Sequence, residues 1–228
     1  MPTQTPKPEL IVMLTHHDKT VSDAMDLFQS ASEYPIAHWG FKDVGLSPNQ
    51  MKRLAETMKD AGKTTYLEVV SLSEAEGLQG AHLAVDSGFD VLMGTVFYPS
   101  ILQYLKDKPI RYYPFPGHVH SHPSILDGTI AEIAAHARKL EGYGVHGLDL
   151  LTYRFNGEAF RLLKQVVEST KIPIVSAGSI ASYARIQEVW EAGAWGFTIG
   201  SAFFEKKFLP DGSFEQNLLA VCNWLREQ

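Results

Sequence analysis

The sequence predicts an α/β fold, a single-domain (β/α)8 TIM barrel, on three observations. Short β-rich apolar runs alternate with segments of helical periodicity eight times. Glycines mark the places where helices hand over to strands, and no linker or shift of composition interrupts the rhythm. Consecutive parallel strands need crossover helices, so this repetition means a parallel sheet, and eight units favour closure.

The strands are expected at Leu10–Thr15, Ile36–Phe41, Thr64–Val70, Val91–Val96, Ile110–Phe115, Gly147–Leu151, Ile174–Ser176 and Gly196–Ile199. The helices between and after them are expected at Ser22–Ala31, Asn49–Ala61, Glu74–Ser87, Ser100–Lys106, Thr129–Glu141, Glu158–Thr170, Tyr183–Ala192 and Phe214–Glu227. Ser47 followed by Pro48, and Ser73 with Glu76 three residues on, read as helix starts. Gly62, Gly88, Gly144 and Gly193 sit where a left-handed C-terminal cap belongs. Residues 1–8, polar and proline-rich, read as a loose tail, with the barrel over 9–228. The rival doubly wound sheet would place a glycine-rich loop after the first strand. Here Thr15-His16-His17-Asp18-Lys19-Thr20 follows it, without a glycine.

Composition narrows the function classes. Of 228 residues, 45% are hydrophobic and 20% charged, an ordinary globular balance. No apolar run reaches the roughly 18 residues that span a bilayer, and no signal peptide opens the chain, so no membrane partner is expected. The single Cys222 cannot form an internal disulfide, which fits a reducing, cytoplasmic setting. The net charge of −6 is scattered, with no basic block for nucleic acid. Phe203, Phe204, Phe208 and Trp224 read as an exposed apolar set that hints at a homo-oligomer, although Trp224 is equally placed to pack on the barrel.

In this fold chemistry sits at the C-terminal ends of the strands. Strand seven ends Ser176-Ala177-Gly178-Ser179-Ile180, and strand eight ends Ile199-Gly200-Ser201-Ala202. These two small-residue turns leave backbone N–H groups uncovered, and a short helix starting at Ser201 or Ala202 would add favourable potential for an anion. Ala177, Gly178, Ser179, Gly200 and Ser201 are therefore the expected phosphate grip.

The stretch Glu191–Ala202, preceded by Ala177–Ile180, resembles the closing quarter of ribulose-phosphate-binding barrels, nearest in flavour to the N-acetylmannosamine-6-phosphate 2-epimerase group. Val85–Thr95 is similar to that group's fourth strand. The resemblance implies a phosphorylated, sugar-like ligand. No segment matches that group's catalytic lysine region, so it does not fix the reaction.

The polar residues expected around the mouth are His16, Asp18, Lys42, Asp43, Glu68, His118, His120, His122, Asp149, Tyr153, Arg154 and Ser176. Glu68, inside an apolar strand, either points into the upper lumen or pairs with a cation such as Lys42. Lys42, at the end of strand two, is a candidate base or Schiff-base nucleophile if apolar neighbours lower its pKa. Asp149 invites the same reasoning. Lys42, Glu68, Asp149 and His118 are the expected catalytic set, with His16, His120, Arg154 and Ser176 touching substrate. The alternating His118, His120 and His122 have no carboxylate or cysteine at a diagnostic spacing, so a mobile lid is preferred to a metal site and no metal is assigned. His38, His82, His136 and His146 read as ordinary helix or strand residues. No arginine-rich or glycine-rich signature recommends a flavin or nicotinamide, and no cofactor is expected. Three activities stay open: proton transfer next to a carbonyl in a sugar phosphate, a Lys42 Schiff-base aldolase or lyase, and a non-catalytic sensor of a phosphorylated metabolite.

Overall fold

Alternation of side chains across each strand sorts the apolar residues into two sets, and the computed structural model, which describes residues 6–228, keeps them apart. Ile11, Met13, Tyr66, Val91, Met93, Tyr113 and Val175 form one small buried cluster with Trp195 against it. Their strand neighbours, among them Val12, Trp39, Phe41, Leu67, Leu92, Leu148, Leu150, Phe197 and Ile199, belong to the larger core shared with the helices. The first set fills the inside of a barrel and the second packs its outside.

The barrel strands are β1 (Glu9–Met13), β2 (His38–Lys42), β3 (Thr64–Glu68), β4 (Val91–Val96), β5 (Arg111–Phe115), β6 (Leu148–Leu150), β7 (Ile174–Ser176) and β8 (Gly196–Ile199). All neighbours pair in parallel, in the order β6-β7-β8-β1-β2-β3-β4-β5. No strand ladder joins β5 to β6, and His146 bridges them. Its N–H donates to the Tyr112 carbonyl (3.0 Å), and its Nδ1 accepts from the Tyr112 N–H (3.2 Å). An imidazole thus stands in for a ladder carbonyl, a role beyond that of an ordinary strand residue.

The helices are α1 (Ala24–Ala31), α2 (Pro48–Asp60), α3 (Glu74–Asp86), α4 (Pro99–Leu105), α5 (Ile130–Tyr143), α6 (Ala159–Ser169), α7 (Tyr183–Glu191), a short α8 (Ser201–Phe204) and α9 (Phe214–Glu227). Ser47 closes a capping box with Gln50 at the start of α2, and Ser73 accepts from the Glu76 N–H. The four expected cap glycines adopt φ of 71–90°. Each expected element is present, with ends moved by at most two residues.

Two expectations change. The aromatics read as an exposed set are packed: Phe203 and Phe208 are buried, and Phe204 and Trp224 lie against the core. Phe203 meets Phe208 and Phe214, and Trp224 stacks on Tyr183. They wedge α8 and α9 onto the barrel, so they no longer speak for self-association. Of the expected tail, residues 1–5 lie outside the described residues. From Lys7 onward the chain is held, since Lys7 Nζ donates to the Arg226 carbonyl (3.3 Å) and Pro8 is buried. Among the described residues no helix is long and apolar enough to cross a membrane.

Candidate functional site

Lys42, Glu68 and Asp149 share the inward parity of the barrel strands, because Trp39 and Phe41, Leu67, and Leu148 and Leu150 all point outward. Register sets Lys42 beside Glu68 on adjacent strands. The Lys42 ammonium lies 3.4 Å from Glu68 Oε1 and 2.5 Å from Asp18 Oδ1. Gly94 on β4 makes room for this: a Cβ there would come within 2.7 Å of Glu68 Cγ.

Asp18 arrives from the loop after β1. Thr15–His16 pairs with Lys19–Thr20 as a hairpin closed by His17 and Asp18, both left-handed at φ 47° and 63°. A two-residue turn of that kind matches strand twist, and Asp tolerates it better than most residues. The turn aims the Asp18 carboxylate into the mouth, where it also lies 3.8 Å from Arg154 Nη2.

The electrostatics follow from burial and pairing. Burial alone would depress the Lys42 pKa, but Glu68 and Asp18 more than offset it and lift it above the ordinary lysine value. The expectation of a lowered lysine is thus corrected: two carboxylates hold it as an ammonium ion. Burial would raise Asp18, yet its hydrogen bond to Lys42 and the charges of Lys42, Arg154 and His122 hold it below the usual carboxylate value. Asp149 is the opposite case. It is fully buried and neither carboxyl oxygen has a hydrogen-bond partner. Burial, with the charge of Glu68 added, raises its pKa well above normal against the pull of Lys42 and Arg154. Its proton is held more tightly than that of an ordinary carboxyl. One mouth therefore holds a retained proton, an ammonium and two carboxylates, the split that acid–base chemistry uses.

The opposite wall is built from β7 and β8, which pair directly. A cavity of about 330 Å³ is lined by Lys42, Glu68 and Asp18 on one side and by Ala177, Gly178, Ser179, Gly200 and Ser201 on the other. α8 begins at Ser201, with Gly200 at its N-cap. Gly178 has φ 80°, and a Cβ on it would come within 2.9 Å of Arg154 Cγ. Only glycine lets Arg154 lie against this turn. Arg185 also lines the cavity: it donates to the Ser179 carbonyl and lies over the Tyr153 ring.

Not every expected site residue comes to this place. Ser176 shares the outward parity of Ile174 and donates to Thr152 Oγ1 (2.8 Å). Tyr153 donates to Glu188 Oε2 (2.6 Å) and buttresses Arg185. His118 is exposed, in a hairpin of His118–His120 with Ile125–Asp127. His120 bonds Asp127 (2.7 Å), so neither histidine lines the cavity. His16 lies against His17 and Phe204 rather than in the cavity. Among the described residues no group of three or more His, Cys, Asp or Glu is placed to hold a metal. Thr198, Arg185 and Glu205 line the cavity without having been singled out. Thr198 was readable from the alternation of β8, whereas no local pattern betrays Arg185 or Glu205.

Among solved structures the chain resembles the N-acetylmannosamine-6-phosphate 2-epimerase from Clostridium perfringens, with 12% identity and TM-score 0.64 over 95% of this chain and 93% of that one. It resembles orotidine 5'-phosphate decarboxylase from Pyrococcus horikoshii OT3, with 13% identity and TM-score 0.72 over 95% and 99%. A native KDPGal structure matches with 13% identity and TM-score 0.68 over 100% and 98%. At such identities the likeness shows the fold, a barrel of the kind the sequence resemblance implied. No family model and no curated protein matches the sequence.

Proposed function

We propose that this protein is an enzyme acting on a phosphorylated, sugar-like metabolite by proton transfer next to a carbonyl, as an isomerase or epimerase. The observation that carries this reading is the single cavity bounded by a small-residue anion wall on β7 and β8 and by Lys42, Glu68 and Asp18 opposite. The phosphate would sit against Gly178, Ser179, Gly200 and Ser201 with Arg154 beside it, which suits the place where barrels of this kind bind phosphate. Glu68 is the base facing the cavity. The Lys42 ammonium stabilises negative charge developing on the carbonyl oxygen, and Asp149 beneath supplies a proton. The enzymatic neighbours agree with an enzyme on a phosphorylated substrate without selecting the reaction.

A Schiff base needs an unprotonated amine, and the raised Lys42 pKa disfavours it. The test is incubation in D2O with a panel of aldose and ketose phosphates, read by NMR for deuterium at the carbon next to the carbonyl. Exchange that disappears in Lys42→Ala supports the proposal and removes a sensor. Borohydride trapping that labels Lys42, or exchange with none of the panel, overturns it.

A further inference from the structure

The inner cavity, at about 330 Å³, is near the lower end of the roughly 300–1,000 Å³ typical of ligand sites. Such a space suits a compact sugar phosphate. Next to it lies an open groove of about 1010 Å³ between the loops after β1, β2 and β3 and the turn at His122–Pro123 in the hairpin after β5. Asp18, Arg154 and Ser201 border both spaces, so the two are continuous across the Asp18–Arg154 pair. A ligand filling only the inner cavity would leave the larger space unused.

The groove has a definite chemistry. Val44, Val70, Leu83, Pro48 and Pro123 supply apolar walls. Val44 is 44% exposed, a large apolar side chain left open at the mouth. Asp43, Glu76, Gln79 and Ser71 supply hydrogen-bonding groups between those walls. Alternating C–H faces and hydroxyls are what such a lining matches. A second anion is disfavoured by the Asp43 and Glu76 carboxylates, since Arg154 is shared with Asp18 and the inner cavity and leaves Lys19, with the His17 and His122 imidazoles, as the basic groups of the groove. No Phe, Tyr or Trp lines the groove, and the rings it offers are the His17 and His122 imidazoles.

We infer that the substrate is two-ended: its phosphorylated end lies in the inner cavity and a neutral, hydroxyl-bearing unit, about the size of a sugar ring, fills the outer groove. This rests on the reading of the inner cavity as a phosphate site. Asp18 and Arg154 then lie under the junction, and Gln79, exposed on α3, lies along the distal unit.

The test uses the full chain and NMR amide shifts, with saturating inorganic phosphate followed by a panel of methyl glycosides (glucoside, mannoside, galactoside and riboside). Phosphate is expected to move Gly178, Ser179, Gly200 and Ser201. At least one glycoside is expected to move Val44, Val70 and Gln79 with millimolar affinity. Gln79→Trp, on an exposed helix face, should weaken that glycoside at least tenfold, and Val44→Asp at least fivefold, with phosphate shifts unchanged. The matching glucuronide should bind at least tenfold more weakly than the glucoside. If no glycoside shifts the groove, or Gln79→Trp leaves its affinity unchanged while phosphate still binds, the two-ended substrate is overturned and the inner phosphate site stands. If phosphate itself shifts none of its four residues, both readings fall.

Discussion

The barrel buries ionisable groups at both of its ends and treats them differently. At the floor, His38 accepts or donates a hydrogen bond to the Tyr66 hydroxyl at 3.0 Å and lies 3.6 Å from Glu9. Tyr66 and Trp195 meet its ring edge-on at 5.7 and 5.4 Å. Burial holds His38 below the ordinary imidazole value despite Glu9, so it stays neutral and partnered. At the mouth, Lys42 shares two carboxylates, and Asp149 has no partner for either oxygen. A buried polar group without a hydrogen bond costs about 1–3 kcal/mol in proteins. The floor has been settled by packing and pairing, whereas the mouth keeps an unpartnered acid buried close to the charged Lys42 and Glu68.

The largest test of that contrast is Lys42→Met. Removing the ammonium should lower deuterium exchange by about 10³-fold, within the 10²–10⁴ range of general acid–base contributions. Inorganic phosphate affinity, measured by calorimetry, should move by less than about threefold, because Lys42 lies across the cavity from the grip. Exchange that persists in the folded variant would mean the charged mouth is as structural as the floor. Next in size is Gly178→Ala. A left-handed backbone and a Cβ 2.9 Å from Arg154 should weaken phosphate about tenfold and cost about 1–2 kcal/mol of stability. Unchanged phosphate affinity would remove Arg154 and this turn from the grip.

Asp43, on the rim, gives a pH-dependent test. Burial first, then the charge of Glu68, pushes its carboxyl from 3.8 up to about 6. The folded state therefore holds a proton that the unfolded state has lost across that window. Stability is unpenalised below about pH 4, falls as pH rises through the window, and carries a full penalty of about 3 kcal/mol above it. Asp43→Asn removes the titration, so thermal denaturation should show it more stable than the parent at pH 8 and equal to it at pH 3.5. A difference of the same size at both pH values would tie the effect to packing instead.

How much of this was legible in the sequence depends on whether the cause is local. Strand alternation and helix caps are local, so the barrel and the inward parity of Lys42, Glu68 and Asp149 could be read directly. The same alternation would have excluded Ser176, which shares the parity of Ile174. The direction of the Lys42 shift was not readable, because it depends on the charge of Glu68 being joined by Asp18, which reaches over from a hairpin whose turn is left-handed at two non-glycine residues. His118 was misplaced for a related reason: the hairpin that carries it pairs with Ile125–Asp127 and turns its ring to solvent. Nothing local says that α7 lays Arg185 over Tyr153 toward Ser179.

The smallest effect belongs to the floor, and it is the sharper control. Tyr66→Phe removes one hydroxyl, the partner of His38 Nδ1, and keeps the ring that fills the lumen. The loss should be about 1 kcal/mol, the net worth of one hydrogen bond, or roughly 2–4 °C in melting temperature for a chain of this size. Tyr66 lies two residues below Glu68 on the same face of β3, so any coupling of floor to mouth has the shortest path here. Packed interiors transmit strain, but deleting an oxygen leaves the ring contacts in place. Deuterium exchange and phosphate affinity should therefore match the parent while the melting temperature falls. A variant that melts normally yet loses exchange would show that the floor helps to set the charges at the mouth, and the two ends would have to be treated as one network.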